Sequence, residues 1–145
     1  MTRTIIALLL TLPSAAYSQD ITGVVTHIVD GDTFAMRVND DFIRIRFCGI
    51  DAPEQGEPGY AESRSALQML ISGKSINCIQ VGNGTPCDGR SKPTNGGRIV
   101  AQCFVDGRDI ATMMIRDGYA CDWIKFSGGH YRKEAGMAEA CTVLD

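Results

Sequence analysis

Apolar and polar positions follow strand-like patterns through the first part of the chain. The segments 21–29 and 33–38 are rich in β-branched residues, and Asp30-Gly31 separates them. The segment 42–47 alternates strictly, with apolar residues on one face and arginines on the other. Three strands joined by short polar turns predict an antiparallel meander.

The rest of the pattern predicts two more strands and three helices. Gly73 ends the first helix, and a stretch crowded with Gly, Pro, Asn, Thr and Ser indicates an exposed loop. In order, the elements are a helix over 61–72, a strand over 75–81, the loop over 82–97, a strand over 98–105, a short helix from Ile110 to before Gly118, and a helix over 130–140. Five short strands with an inserted helix predict an α+β domain built on a small Greek-key barrel of the OB type, which has no fixed function.

Residues 1–18 have the pattern of a secretory signal peptide. Arg3 precedes a short apolar run over 5–12, Pro13 breaks the run, and small residues stand before Gln19. The run is shorter than the roughly 20 residues that a membrane-spanning helix needs. We therefore expect an exported chain, periplasmic or extracellular, that leaves the membrane after cleavage and folds as one domain over 19–145.

The composition is typical of a globular domain. Of the 145 residues, 44% are hydrophobic and 21% are charged, which excludes wholesale disorder and coiled coil. Asp and Glu number 17 against 14 Lys and Arg, for a formal net charge of −3. Binding of nucleic acid therefore requires locally concentrated positive charge or a bound metal ion.

The even number of cysteines agrees with export, because an oxidising compartment favours disulfides. Zinc binding is the competing interpretation, but the chain has no Cys-x-x-Cys pair and its two histidines stand apart from the cysteines. Three bridges allow fifteen pairings, among which the spacing does not choose. The six cysteines are Cys48, Cys78, Cys87, Cys103, Cys121 and Cys141.

Two short polar stretches carry the candidate chemistry. The first is Asp-Gly-Asp-Thr over 30–33, and the second runs over 46–54 from an arginine to a glutamate. Taken singly, they indicate a hairpin turn and a strand end followed by a loop. Together they place carboxylates and an arginine near the ends of neighbouring strands. Carboxylate oxygens suit Ca²⁺ or Mg²⁺, and a guanidinium suits a phosphate.

With Gly97-Arg98 added, these motifs resemble the staphylococcal nuclease (thermonuclease) family. The resemblance runs from about Gly23 to the final helix, with three motifs in the family's order and at matching spacing. It implies the family's five-stranded OB-fold barrel with about three helices. It also implies a secreted calcium-dependent endonuclease that hydrolyses DNA, with RNA as a second candidate substrate, and with little sequence specificity. We expect a monomer.

The resemblance assigns three residues to calcium. Asp32 and Asp51 match the two aspartates that bind the ion, and Ala52 stands where well-known members have threonine. That position offers its main-chain carbonyl, so an alanine is compatible with the role.

The resemblance assigns three further residues to catalysis. Glu54 matches the glutamate that orients or deprotonates the attacking water, and Arg46 and Arg98 match the arginines that hold the scissile phosphate. A barrel of the same fold that binds nucleic acid or another ligand without cleaving it is the alternative. Noncatalytic relatives generally lose some of these side chains, so their retention favours the enzyme.

The chain departs from the family at the tyrosines that frame the nucleotide. Trp123, Phe126 and Tyr131 are expected to pack the last helix rather than to stack on bases. The loop over 82–97 is longer than in the family, and its Arg90 and Lys92 are expected to be solvated, with substrate contact as the alternative.

The cysteines are a further departure from the family. Cys78 and Cys103 fall in strands that the resemblance makes neighbours, at positions that are apolar in the family. We therefore expect them to form a bridge, and a second bridge to tether the final helix. The expected pairs are Cys78–Cys103 and Cys121–Cys141. The remaining pair is then Cys48–Cys87, with a free Cys87 as the alternative.

Overall fold

Five strands form the frame of the molecule in the computed structural model, which describes residues 20–132. They are β1 (Asp20–Ile28), β2 (Thr33–Val38), β3 (Asp41–Phe47), β5 (Ser75–Gln80) and β7 (Arg98–Val105). The shorter strands are β4 (Ile50–Asp51), β6 (Thr94–Asn95), β8 (Arg108–Asp109) and β9 (Cys121–Asp122). The helices of the described range are α1 (Tyr60–Ile71), α2 (Ile110–Arg116) and α3 (Ile124–Ser127).

Strand pairing closes these five strands into a barrel. β1 lies antiparallel between β2 and β5, β2 pairs antiparallel with β3, and β5 pairs antiparallel with β7. The circle is completed by the parallel pairing of β3 with β7, in which Ile45 faces Ile99 and Phe47 faces Ala101. The predicted meander and the five-stranded OB-fold barrel are both confirmed.

The alternating residues of β3 point in turn to the inside and to the outside of this barrel. Ile45 and Phe47 are buried, and the Phe47 ring packs on Phe34 of β2 with ring centroids 5.4 Å apart. Helix α1 covers the core with Leu67 and Ile71, at helical spacing. Burying each such side chain stabilises the fold by about 1.5–3 kcal/mol, so the alternation fixes which face of β3 points away from the core.

The shortest elements were not predicted. β4, β6, β8 and β9 have two residues each, too few to show a period of two, and β4 finds its partner β9 far along the chain. The signal peptide over 1–18 and most of the predicted helix over 130–140 lie outside the described residues. Within those residues, no helix is both long enough and apolar enough to cross a bilayer.

Disulfides link distant segments of the barrel. Cys78 and Cys103 are register partners on β5 and β7 and are bonded to each other, as predicted. Cys48 is bonded to Cys87, so the alternative of a free Cys87 is wrong. Cys121 is also disulfide-bonded, whereas the predicted pairing with Cys141 involves a residue outside the described range.

The predicted loop over 82–97 is organised around one carboxylate. Asp88 accepts hydrogen bonds from the N–H groups of Gly82 at 2.7 Å and Gly84 at 2.8 Å, and from the Thr85 hydroxyl at 2.7 Å. Partial burial raises the pKa of Asp88, but these hydrogen bonds lower it by more, so the net shift is downward. The ionised carboxylate therefore stabilises the fold of this loop.

The Cys78–Cys103 bridge offers a test of stability. The double substitution Cys78→Ala/Cys103→Ala should lower the free energy of unfolding by about 3 kcal/mol, because the bridge closes a loop between residues 25 positions apart. Urea unfolding of the oxidised proteins measures this difference. In strong reductant the two proteins should unfold at nearly the same midpoint; a difference that persists there would assign the effect to packing instead.

The Asp88 cluster predicts a pH dependence. Asp88→Asn should lower the free energy of unfolding by about 1 kcal/mol at about pH 6, since solvent weakens these charged hydrogen bonds. Folding lowers the pKa of the Asp88 carboxyl below its ordinary value of 3.8. Its stabilisation is therefore complete above the unfolded pKa and is lost as the pH falls through the folded pKa.

Urea midpoints at about pH 6 and about pH 2 measure this dependence. Asp40→Asn, in the exposed β2–β3 turn, is the matched control. The prediction would be contradicted if the urea midpoints of wild type and Asp88→Asn differed as much at about pH 2 as at about pH 6.

Candidate active site

Asp32 is the buried centre of the candidate site. Its side chain is 1% exposed, and it lies between the β1–β2 turn and the first residue of β2. Its Oδ2 accepts a hydrogen bond from the Ala52 N–H at 2.8 Å, and its Oδ1 accepts one from the Thr33 hydroxyl at 2.9 Å. Asp32 thus fastens the segment after β4 to the β1–β2 turn.

The turn itself requires a glycine because helix α1 approaches it closely. A Cβ on Gly31 would lie 1.8 Å from the Ser63 Oγ and 2.9 Å from the Ala52 Cβ. Ser63 is buried and donates its own hydrogen bond to the Tyr119 carbonyl at 2.7 Å. Helix α1 therefore packs against the Asp-Gly-Asp turn, and the contact is made at Gly31.

Arg46 bridges the two predicted calcium aspartates. Its Nε lies 3.2 Å from the Asp32 Oδ1, and its Nη2 lies 3.4 Å from the Asp51 Oδ1. Its Nη1 donates to the Phe47 carbonyl at 2.6 Å. Arg46 is 13% exposed and faces Thr33 in the β2–β3 register, which explains why residues so far apart in sequence meet.

Asp51 and Glu54 form the more open side of the cluster. Asp51 lies in β4, opposite Cys121 of β9, and its side chain is 32% exposed. Glu54 is exposed on the following loop, where its N–H donates to the Glu57 carboxylate at 2.8 Å. Solvent reaches both carboxylates, unlike that of Asp32.

The cluster carries an excess of negative charge. Burial raises the pKa of Asp32 to about 7; Arg46 opposes the shift and the negative charge of Asp30 adds to it. Burial also raises the pKa of Asp51, against the opposing effect of Arg46. For Glu54, burial comes first and the charges of Asp30 and Asp51 raise the pKa further. A single guanidinium does not neutralise these carboxylates, which is the electrostatic setting that favours a bound cation.

Asp30 is a site residue that the sequence interpretation did not assign. It is 8% exposed, and its Oδ1 accepts a hydrogen bond from the Asp32 N–H at 3.0 Å. Its charge acts on Asp32, Asp51 and Glu54 alike. The first aspartate of the Asp-Gly-Asp turn was the available signal, but a turn aspartate by itself is ordinary.

The donors present fit a cation that prefers oxygen. In residues 20–132, no group of three or more His, Cys, Asp or Glu side chains is arranged to hold a metal ion. The predicted set is smaller, with two aspartates and one main-chain carbonyl. Both aspartates contact the same arginine, and Ala52 is hydrogen-bonded to one of them, so the three lie together. Carboxylate and carbonyl oxygens are the ligands that Ca²⁺ prefers.

Arg98 lies at the margin of this cluster. It begins β7, two positions before Val100, the register partner of Arg46. Its Nε donates to the Asn95 carbonyl at 3.2 Å, and none of the hydrogen bonds or ion pairs in the described residues joins it to the carboxylates. The structure thus gathers Asp32, Arg46, Asp51, Ala52 and Glu54, and leaves Arg98 apart from them.

A cavity of about 560 Å³ opens beside Arg46. Trp123 and Phe126 are among its lining residues, with their rings edge to face and their centroids 4.7 Å apart. Tyr131, by contrast, is fully buried and donates a hydrogen bond to the Asp109 carboxylate at 3.1 Å. Tyr131 is therefore buried, whereas Trp123 and Phe126 are half-buried and border the cavity. Most of the last helix, which all three were expected to pack, lies outside the described residues, so that expectation stays a prediction.

The fold and the site define a class of small OB-type barrels with an aspartate–arginine cluster at one end and an aromatic cavity beside it. Residues 44–141 match the family described as staphylococcal nuclease homologue. Because this match covers most of the chain, the protein belongs to the staphylococcal nuclease family, as the motifs predicted.

Curated relatives are similar over part of their length. A protein of Escherichia coli named "Uncharacterized endonuclease" is 29% identical over 106 residues, which cover 72% of this chain and 61% of the relative. A "Micrococcal nuclease" of Shigella flexneri is 37% identical over 75 residues, which cover 52% of this chain and 41% of the relative. The matched segments thus span about three fifths and two fifths of these relatives.

The contact at Gly31 can be tested by a double-mutant cycle. Gly31→Ala should lower the free energy of unfolding by about 2–3 kcal/mol, because its Cβ overlaps the Ser63 Oγ. Ser63→Ala alone should cost about 1 kcal/mol through the lost hydrogen bond to Tyr119. The double variant should lose less unfolding free energy than the sum of the losses in the two single variants. Urea unfolding measures all four proteins, and strictly additive losses would contradict the contact.

Proposed function

We propose that this protein is a calcium-dependent phosphodiesterase, an endonuclease that hydrolyses DNA with little sequence specificity and has RNA as a second candidate substrate. The observation that carries the proposal is the position of Arg46, which contacts both Asp32 and Asp51 and lines a cavity. The names of the curated relatives support the same reaction class.

The reaction requires stabilisation of negative charge on phosphorus. Attack of water on a phosphodiester adds charge to the nonbridging oxygens, and donors that are already oriented stabilise it without reorganisation. The guanidinium of Arg46 is fixed by two carboxylates and a carbonyl, so it meets this requirement. Arg98 is assigned to the same phosphate, a role in which it would act from the edge of the cluster.

Calcium would be held by Asp32, Asp51 and the main-chain carbonyl of Ala52. When bound, the ion supplies Lewis-acid stabilisation and orients the phosphate. Two carboxylates suggest weak affinity, with a Kd of roughly 10⁻⁴–10⁻³ M, as in extracellular modules. The burial of Asp32 and the charge of Asp30 support this assignment, because a divalent cation would relieve both costs.

Glu54 is assigned to the attacking water. In the reaction the water oxygen bonds to phosphorus, one proton passes to the Glu54 carboxylate, and the ester oxygen leaves and is protonated from solvent. Glu54 is exposed, so water reaches it, and its raised pKa makes it a stronger base than a free glutamate.

Export and monomeric state belong to the same proposal. Disulfides at Cys48–Cys87 and Cys78–Cys103 support an oxidising compartment, periplasmic or extracellular, which agrees with the signal-peptide pattern over 1–18.

A noncatalytic binding module is the second candidate. The net charge of −3 keeps this alternative open, because an acidic chain has little general attraction for a DNA substrate.

A cleavage assay with one substitution separates these functions. The chain from Gln19 onward should degrade denatured DNA in millimolar calcium and should lose activity in EDTA. Glu54→Gln should lower kcat by about 10²–10⁴-fold, the range attributed to a general base. Asp106→Asn, which removes one charge in the turn after β7, should have no effect and is the matched control.

Each other outcome has a distinct meaning. Cleavage that survives Glu54→Gln would keep the enzyme and move the base to another residue. Cleavage that survives EDTA would remove calcium from the mechanism. If the folded, oxidised protein binds DNA and calcium but cleaves nothing, the binding module is correct and the nuclease proposal fails.

A further inference from the structure

The cavity beside Arg46 is cationic in a chain that is acidic overall. Its lining contains three cations, Arg46, Arg90 and Lys92, and no carboxylate among the described residues. The formal net charge of the chain is −3, so this concentration of positive charge is local. A concave surface of this kind attracts an anion. Arg90 and Lys92 come from the loop over 82–97, whose charges were expected to be solvated.

The disulfide fixes this loop against the candidate active site. Cys87 is bonded to Cys48, which follows Arg46 by two positions. The Cys87 carbonyl accepts hydrogen bonds from the N–H groups of Arg90 at 3.0 Å and Ser91 at 2.9 Å. The backbone of Arg90 is therefore joined to the turn after β3 through one covalent bridge and one hydrogen-bonded turn.

The Arg90 side chain extends from the loop to the end of α3. A Cβ on Gly128 would lie 2.7 Å from the Arg90 Nε and 2.9 Å from its Cζ, so the guanidinium lies against that glycine. Gly128 follows α3, the helix that carries Phe126. Arg90 thus contacts the end of the helix whose Phe126 lines the cavity.

The guanidinium of Arg90 lacks a protein partner within the described range. No ion pair or side-chain hydrogen bond there involves it, whereas Arg46 contacts two carboxylates. A guanidinium has five N–H donors in a planar fork that matches a phosphate. Among the described residues, its donors are thus open to a ligand in the cavity.

We propose that Arg90 binds a second phosphate of the substrate strand, next to the phosphate at Arg46. This inference rests on the proposed function, because it assumes that a polynucleotide is cleaved at Arg46. A polynucleotide carries one phosphate per nucleotide, so two separated cations in one cavity select a strand over an isolated phosphodiester. Arg90 is therefore a substrate-positioning residue, and the Cys48–Cys87 bridge sets its place.

Binding can be measured without turnover. In the Glu54→Gln background, with calcium present, fluorescence anisotropy gives the Kd for a fluorescein-labelled single strand of deoxythymidine nucleotides. Adding Arg90→Gln should raise the Kd about five- to tenfold and reduce the slope of log affinity against log salt by about 0.7, one phosphate contact on a single strand. Arg108→Gln, in β8 and paired with the last residue of β7, is the matched control and should change neither quantity.

The conservative variant separates charge from shape. Arg90→Lys should keep the salt slope, because it keeps the charge, and should still raise the Kd, because it loses the planar fork. Circular dichroism establishes that each variant is folded. If Arg90→Gln does not fold, Arg90→Lys decides: a raised Kd with the slope retained supports the proposal, and an unchanged Kd overturns it.

Turnover gives a second readout in the active protein. The ratio of kcat/KM for the oligonucleotide to kcat/KM for thymidine 5′-(4-nitrophenyl phosphate), which has one phosphodiester, should fall about five- to tenfold in Arg90→Gln. An unchanged ratio together with an unchanged salt slope overturns the proposal. If the wild-type protein cleaves neither substrate, the proposed function has failed, and the binding experiment still decides the role of Arg90.

Discussion

The site depends on the burial of one carboxylate, that of Asp32. Its two oxygens hold the Ala52 N–H and the Arg46 guanidinium, so the β1–β2 turn, β3 and the segment after β4 meet at a single side chain. Burial makes its charge costly, and Asp30 increases that cost. The arrangement is stable to the extent that positive charge is supplied to it. The fold provides part of that charge through Arg46, and the proposed calcium ion would provide the rest.

The sequence predicted the parts of this arrangement that follow from local patterns. Alternation in β3 distinguished buried Ile45 from outward-facing Arg46, and the turn residues placed Asp32 at the start of β2. The pairs that close the barrel, such as Ile45 with Ile99, join residues far apart in sequence. No periodicity records such a pairing, so the order of the strands predicted an OB-type barrel without identifying the pair of strands that closes it.

The cavity could not have been predicted in the same way. Phe126 lies on a helix of four residues, too short to show which side is apolar, and its position depends on the β4–β9 pair. Arg90 is an ordinary charge in a polar loop until the Cys48–Cys87 bridge places that loop beside Arg46. The spacing of six cysteines leaves this pairing undetermined. Asp30 was overlooked for a related reason, since its field matters only after three other carboxylates have been brought near it.

These features resolve an apparent conflict between the net charge of the chain and its proposed function. A chain with a net charge of −3 is poorly suited to general attraction of a polyanion, yet its negative charge is concentrated where a cation would bind. The positive side chains that line the cavity have no carboxylate among them, and Arg46 is common to the cavity and the aspartate cluster. Arg46 therefore belongs both to a surface suited to a metal ion and to a surface suited to phosphate. Because Arg46 belongs to both surfaces, the sign of the local electrostatic field determines which ligands can bind next to it. The net charge of the chain does not.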